Sequence, residues 1–491
     1  MKRRALADSS SHDFCVIGAG PAGLAAAHEL TLRGARDVAV IEATGVVGGL
    51  SRTDVHDEAR FDVGPHRFFT KNAEVNALWH ELLGADFRPV DRLTRIYYRG
   101  KFFNYPIKAF DAFSKLGPVA SIHAVISYLG AQLDRDGEPE TFEDWVSTKF
   151  GRKLYETFFK TYTEKVWGIP CREIGADWAA QRIKGLDIWE VLKNAVVPAA
   201  QQKVKTLVEQ FDYPRLGAGQ MYEAMCSRAA DAGAEVLLDH RVVAFHLDGD
   251  RVKEVSAVGS DGEEVTISAG HFFTSAPITQ VVTSFDPPEA EPIRRSAEAL
   301  YYRDHITVNL LVARDGLFPD QWIYAHAPEV EMARVANYGN FSADMVNHQR
   351  RSALGVEYFV FKGDAIWNKR DEELEQLAVA ELDELGLVRR GSIERAWVVR
   401  ETECYPTYYL GFEEHFDRLR RRLDEIGNLH PIGRGGMYKY NNQDHSIVTG
   451  MLAARNVLDG ERAHRDLWSV NVDAEYHESA SRKPRAEGSS S

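Results

Sequence analysis

The chain has 491 residues, 44% of them hydrophobic and 27% charged, with a formal net charge of −14. That length admits two or three domains, or one domain with large insertions, and the composition excludes a disordered, collagen-like or coiled-coil chain. The acidic balance argues against an electrostatic grip on nucleic acid or on an anionic bilayer, and leaves a small anionic ligand held in a local basic pocket.

Residues 1–12 are polar and read as a loose arm. Met1-Lys-Arg-Arg is basic, but no apolar run follows it, so it does not read as a secretory signal. Phe14–Ile17 is expected to be a short buried strand, followed by a glycine-rich turn, an Ala/Leu helix to about Leu32 and a second strand at Val38–Ile41. Residues 72–212 read as helical and aromatic. Thr141-Phe-Glu-Asp144 has the spacing of a capping box, and Tyr155, Phe159, Tyr162 and Val166 recur at helical intervals. Strand patterns return at 235–245, 252–258 and 265–275. Residues 300–412 mix strand-like runs (305–312, 355–361) with a charged helix at 371–385. Arg418–Arg422 reads as a solvated helix face. A last glycine-rich segment, 433–454, ends in an apolar helix, and the tail from Ser479 is small and polar. The fold expected is α/β. A discontinuous Rossmann-like domain (13–71, 213–290 and 425–470) is interrupted by a helical or mixed α+β domain (72–212 and 291–424), with flexible tails at 1–12 and 479–491.

Cys15, Cys171, Cys226 and Cys404 lie far apart without metal-ligand or redox spacing, which suits buried thiols in a reducing cytoplasm. No metal site is predicted. No stretch approaches the ~20 apolar residues of a membrane span.

Gly18-Ala-Gly20-Pro-Ala-Gly23 follows the first strand and opens the first helix. The first glycine permits the tight turn, the second the approach of a pyrophosphate, and the third close packing of helix on strand. The helix N-terminus attracts the phosphates, and Pro21 there removes no useful donor. Glu42, 19 residues after Gly23, is the acid expected on an adenosine ribose. Together these features predict a bound dinucleotide. Gly48-Gly49-Leu50-Ser51-Arg52 then offers a second approach to the pyrophosphate. This arrangement resembles FAD-dependent amine oxidases and protoporphyrinogen oxidases, so FAD is favoured over NAD.

Within that superfamily, Phe61-Asp-Val-Gly64-Pro65-His66 resembles the Gly-Pro-His segment of UDP-galactopyranose mutases. The likeness continues in order through Gly100–Ile107, Gly151–Gly168, Tyr213–Met221, Val330–Val335, Tyr405-Pro406 and Gly433–Asp444. The resemblance implies that His66 sits beside the flavin and that Tyr162 and Trp167 line a sugar and nucleotide cleft. Arg334 would neutralise a diphosphate to which Tyr405 and Tyr440 donate, with Arg182 (or Lys184) approximating a second, mobile-loop arginine. His66, Arg334, Tyr405 and Tyr440 are thus the catalytic candidates. Cofactor contacts are implied at Gly18, Gly20, Pro21, Ala22, Gly23, Glu42 and Ala43, at Gly49, Leu50, Ser51 and Arg52, and at Pro65, His66 and Val242. Gly433, Arg434, Asn442, Gln443 and Asp444 complete them.

Two chemistries follow from the resemblance. One is a redox-neutral ring isomerisation of a nucleotide-activated sugar. It uses reduced FAD, whose N5 attacks the anomeric carbon, with external NAD(P)H or another reductant as an option. The other is an oxidoreductase in which hydride passes from a substrate C–H to N5. Self-association through the inserted helical region is a family-level expectation only.

Overall fold

The computed structural model describes residues 9–105, 107, 109–133, 137–176, 210–346, 350–460 and 466–471. Arg182, Lys184 and the tail from Ser479 therefore lie outside the described residues.

Among the described residues, one sheet has eight strands drawn from three distant stretches of chain. Strand β1 (Ser9–Ile17) is central, parallel to β2 (Val38–Ile41) on one side and to Glu264–Thr274 on the other. Residues 235–286 supply the remaining neighbours, and Leu429–Pro431 adds a short parallel strand. Strand β1 is longer than its apolar run predicts. Ser9–His12, expected in a loose arm, pair with Thr266–Ala269, because the backbone of a polar segment can complete a ladder whatever its side chains.

Helices cover both faces of this sheet, as an α/β core requires. On one face, helix α1 (Pro21–Leu32) and the long helix Gln443–Asp459 bury Leu24, Ala25, Ala26, Ile447 and Ala454. They pack so closely that a Cβ on Gly450 would overlap the Ala22 carbonyl. On the other face Ile278, Val281, Leu419 and Leu423 pack on Phe272 and Ile267. The arginine run 418–422 lies on a helix there and is only partly solvated. Arg422 is paired with Glu289 at 2.6 Å and Arg418 donates to Ser296 at 2.7 Å.

The second sheet has seven strands: Ile393–Pro406, Tyr302–Val312, Ser352–Val360, Arg334–Asn337, Trp322–Ala325, Thr94–Tyr98 and Lys101–Asn104, in that order. Block 72–212 is thus not purely helical, since it lends two strands here and a third (Phe87–Asp91) to a pair with Gln210–Pro214. Alternation decides the two faces. Ile306, Val308, Leu310 and Val356 turn toward helix Asp371–Glu384 and its Leu374 and Leu382. Their alternates turn the other way, and that face carries the candidate site.

Within the helical block, Thr141 and Asp144 form the expected capping box. The single aromatic face expected from Tyr155 to Val166 is broken. Tyr155–Phe159 form a π-helical turn, a feature common at functional sites. Tyr155 accordingly looks into the helical core, where its hydroxyl donates to Glu143 at 3.0 Å, whereas Tyr162 faces the second sheet.

Candidate active site

Two regions meet at the site. The first is a backbone cradle. Gly18 has φ +96°, and a Cβ on Gly23 would overlap the Gly18 carbonyl oxygen, so helix α1 can begin only as glycine there. The second glycine turn lies against the first: the Gly48 N–H donates to the Ala19 carbonyl at 2.8 Å, and a Cβ on Gly49 would come within 3.2 Å of the Gly20 Cα. Glu42 at the end of β2 is buried. Its carboxylate accepts from the Ala19 N–H at 2.7 Å and from the Thr44 N–H and hydroxyl at 2.9 Å. A carboxylate has about four lone-pair sites, so these bonds are compatible with a ribose contact. Ala43 and Val242 lie at the same end, since the His240 N–H, two residues before Val242, donates to the Glu42 carbonyl. Gly433 packs on Ala22, which brings the third chain segment to the turn.

Several expected cofactor residues are committed to protein partners. Arg52 pairs with Asp54 at 3.0 Å and with Glu401, and touches the Gly49 carbonyl. The Gln443 side chain accepts from Tyr222 and donates to the Arg67 carbonyl. Asn442 is the N-cap of the long helix. Asp444, 4% exposed, keeps Oδ1 without a hydrogen bond among the described residues.

The second region is a face of side chains. Arg334 begins its strand opposite Glu357 and donates to it through Nε (2.7 Å) and Nη2 (2.5 Å). Glu357 is fully buried and also accepts from His305 Nε2 at 2.9 Å. Burial alone would raise its carboxyl pKa, but the charge of Arg334 and the hydrogen bonds from His305 and Arg334 prevail and hold it at about 2. The loop Gly64-Pro65-His66 lies over this group: a Cβ on Gly64 would stand 3.5 Å from Glu357 Oε2 and 3.8 Å from Arg334 Nη2. Burial, then Arg434 and Arg334, push the His66 pKa down to about 4, so the ring is neutral near pH 7. Its Nδ1 is buried with no hydrogen-bond partner among the described residues.

Aromatic rings close the wall. Tyr405 and Tyr440 stack at 5.5 Å, and the Arg434 guanidinium lies 4.8 Å and 5.0 Å from their centroids. Phe359 packs on Tyr405 at 5.4 Å, and Tyr162 stacks on His326 at 4.6 Å. The structure thus brings His66, Tyr162, Arg334, Tyr405, Arg434 and Tyr440 together. Trp167 does not line a surface: at 2% exposed it belongs to the helical core and supports Tyr440 at 5.9 Å.

Sequence reasoning missed Glu357, His305, His326 and Phe359. For Glu357 and His305 the available signal was a lone acid or imidazole inside a mostly apolar strand run, 355–361 or 305–312; His326 and Phe359 carried no such signal. The cradle, which any added Cβ would fill, and the orphaned Nδ1 of His66 suit a dinucleotide whose ring end reaches His66. Among the described residues no helix is long and apolar enough to cross a membrane, and no cluster suits a metal ion. The four cysteines are free and buried.

Residues 21–458 match the family described as flavin containing amine oxidoreductase. A probable UDP-galactopyranose mutase of Klebsiella pneumoniae is 30% identical over 34% of this chain and 44% of its own length. A dTDP-fucopyranose mutase of Escherichia coli is 27% identical over 33% and 43%. Putrescine oxidase of Kocuria rosea is 26% identical over 48% and 50%. The chain therefore spans half or less of the length of these relatives. A crystal structure of reduced UDP-galactopyranose mutase superposes with a TM-score of 0.79 at 20% identity, covering 94% of this chain and 99% of that one.

Proposed function

Since the chain belongs to the flavin-containing amine oxidoreductase family and is an FAD-dependent enzyme, we propose that it isomerises a nucleotide-activated sugar in a redox-neutral, mutase-like reaction. The observation that carries the reading is the convergence of Arg334, Tyr405 and Tyr440 with Gly64-Pro65-His66, residues scattered over nearly 380 positions of sequence.

Bound FAD in its reduced form supplies the electron-rich centre for such chemistry. The chain has two tasks. One is to stabilise a departing diphosphate. Glu357 occupies Nε and Nη2 of Arg334, which leaves the Nη1 donors for a phosphate oxygen, with the phenols of Tyr405 and Tyr440 as further donors. The other is to position without competing for protons. A neutral His66 can offer its orphaned Nδ1 to the cofactor, and Arg434 holds the stacked tyrosines from behind. Residues 13–71, 213–290 and 425–470 would bind FAD, and the second sheet with its helices would bind the sugar nucleotide. The same reading places the enzyme in the cytoplasm.

One observation favours an oxidoreductase instead. Glu357 cancels the charge of Arg334, so that arginine adds little net charge to the wall formed by Tyr162, Tyr405 and Tyr440, which would also suit a less charged substrate. Incubating the yellow holoenzyme with UDP- and dTDP-sugars, with and without dithionite, separates the two. Isomerisation that requires prior reduction supports the mutase reading. Bleaching by substrate with peroxide formed in air overturns it in favour of the oxidoreductase.

A further inference from the structure

The strand that carries Tyr405 loses its regular register beside the site. His305 lies opposite Glu401, yet Arg303 lies opposite Tyr405, so one residue, Asp304, faces Thr402, Glu403 and Cys404. A regular ladder would set Glu403 opposite Arg303 and carry Tyr405 two residues, about 7 Å, farther along. Because two residues are taken up, the alternation of faces is preserved. The bulge therefore decides which side chain stands beside Arg434: a phenol rather than a carboxylate, on the wall that the nucleotide-sugar reading assigns to an anion.

This conformation is strained and is held from outside. Glu403 has φ +57°, a region L residues other than glycine, asparagine and aspartate avoid. Asp304, 5% exposed, accepts from the Glu403 N–H through Oδ1 at 2.7 Å and from the Lys362 N–H through Oδ2 at 2.6 Å. Arg434 Nη1 donates to the Cys404 carbonyl at 3.3 Å, and Gln280 donates to the Glu403 carboxylate, drawing it away.

We propose that Asp304 is a positioning residue that fixes this bulge and so places the Tyr405 hydroxyl at the anion site. The identity of the anion rests on the nucleotide-sugar reading; the placement of the ring does not. The test uses FAD-loaded full-length protein and UDP as probe, by calorimetry. D304A should weaken UDP binding about tenfold, the worth of one hydrogen bond to a charged group, with unchanged FAD per chain. Adding E403G should restore most of the loss, because glycine adopts the left-handed conformation without help. A residue that merely stabilised the fold would lose thermal stability but keep its UDP affinity, and E403G would not act selectively on binding. Undiminished affinity in D304A, or no recovery with E403G, overturns the proposal. Should D304A fail to fold, D304N, with one acceptor where Asp304 has two, carries the same measurement. If the parent protein binds no UDP, the nucleotide-sugar reading falls, and a crystal structure of D304A decides the bulge. A Tyr405 ring displaced from Arg434 and Tyr440 supports the proposal, and a ring left in place overturns it.

Discussion

The two halves of the site are built on opposite principles. The cradle at the end of β1 is made of backbone: Gly18, Gly20, Gly23, Gly48 and Gly49 touch one another, and what matters is the atoms they lack. The facing wall is made of side chains, from four strands and from Tyr162, Arg434 and Tyr440 outside them, tied by a buried acid that balances Arg334 and accepts from His305. The first should fail when anything is added, the second when a charge is removed.

The largest effect expected is on the cradle. Gly23→Val would drive a branched side chain into the Gly18 carbonyl, and the flavin absorbance of the purified protein should fall more than about tenfold. Normal flavin content would mean that the turn is not the pyrophosphate site. Next is Glu357→Gln, which keeps the shape of the wall and removes the negative charge that balances Arg334. An uncompensated Arg334 should cost about 3 kcal/mol, roughly 5 °C in the unfolding midpoint. The sign with pH follows from the depressed carboxyl. Its contribution is full above the unfolded value near 4.3 and is lost as pH falls toward about 2, so the variant should lack that acid-dependent loss. An unmoved midpoint would show that Arg334 does not depend on Glu357.

The same contrast explains what the sequence disclosed. The cradle is local: strand, glycines, helix, strand and Glu42 occupy 29 consecutive residues, 14–42, and each has a distinct physical reason for its place. The wall is not local. Arg334 meets Glu357 only because their strands pair, and Tyr405 stands where it does only because of a bulge that no propensity of Thr402, Glu403 or Cys404 announces. The resemblance carried the reading to Arg334, Tyr405 and Tyr440, but the residues that hold them in place, Glu357, His305 and Asp304, emerged only with the register. Trp167 shows the converse error: an aromatic residue near a site need not face it.

A smaller effect tests the contact between the halves. His66 lies where cradle and wall meet, half-buried, and its folded pKa of about 4 is below the unfolded value near 6.5. The unfolded chain takes up the proton first on acidification. This contribution is therefore full above pH 6.5 and is lost as pH falls toward 4. Urea unfolding of His66→Asn should show a fall in stability over that window smaller by on the order of 2 kcal/mol. Identical pH profiles would mean that the ring titrates alike in the folded and unfolded chain, so that burial and the two arginines do not hold it neutral as the pH falls.

The smallest effect concerns the helical block that stands behind the wall. The Thr141 hydroxyl accepts from the Asp144 N–H at 3.1 Å, and Asp144 answers with its carboxylate on the Thr141 N–H at 3.2 Å. This box starts the helix whose Phe142, Val146 and Phe150 pack with Trp167, and Tyr440 rests against that cluster. Thr141→Ala should cost about 1 kcal/mol, read by chemical unfolding. If cradle and wall are separable, flavin content should not change, while UDP affinity should fall less than about twofold, because Tyr440 is also held by Tyr405, Arg434 and the Tyr408 hydroxyl. A larger fall would make the helical block a third partner in the site, coupled to the anion through Trp167.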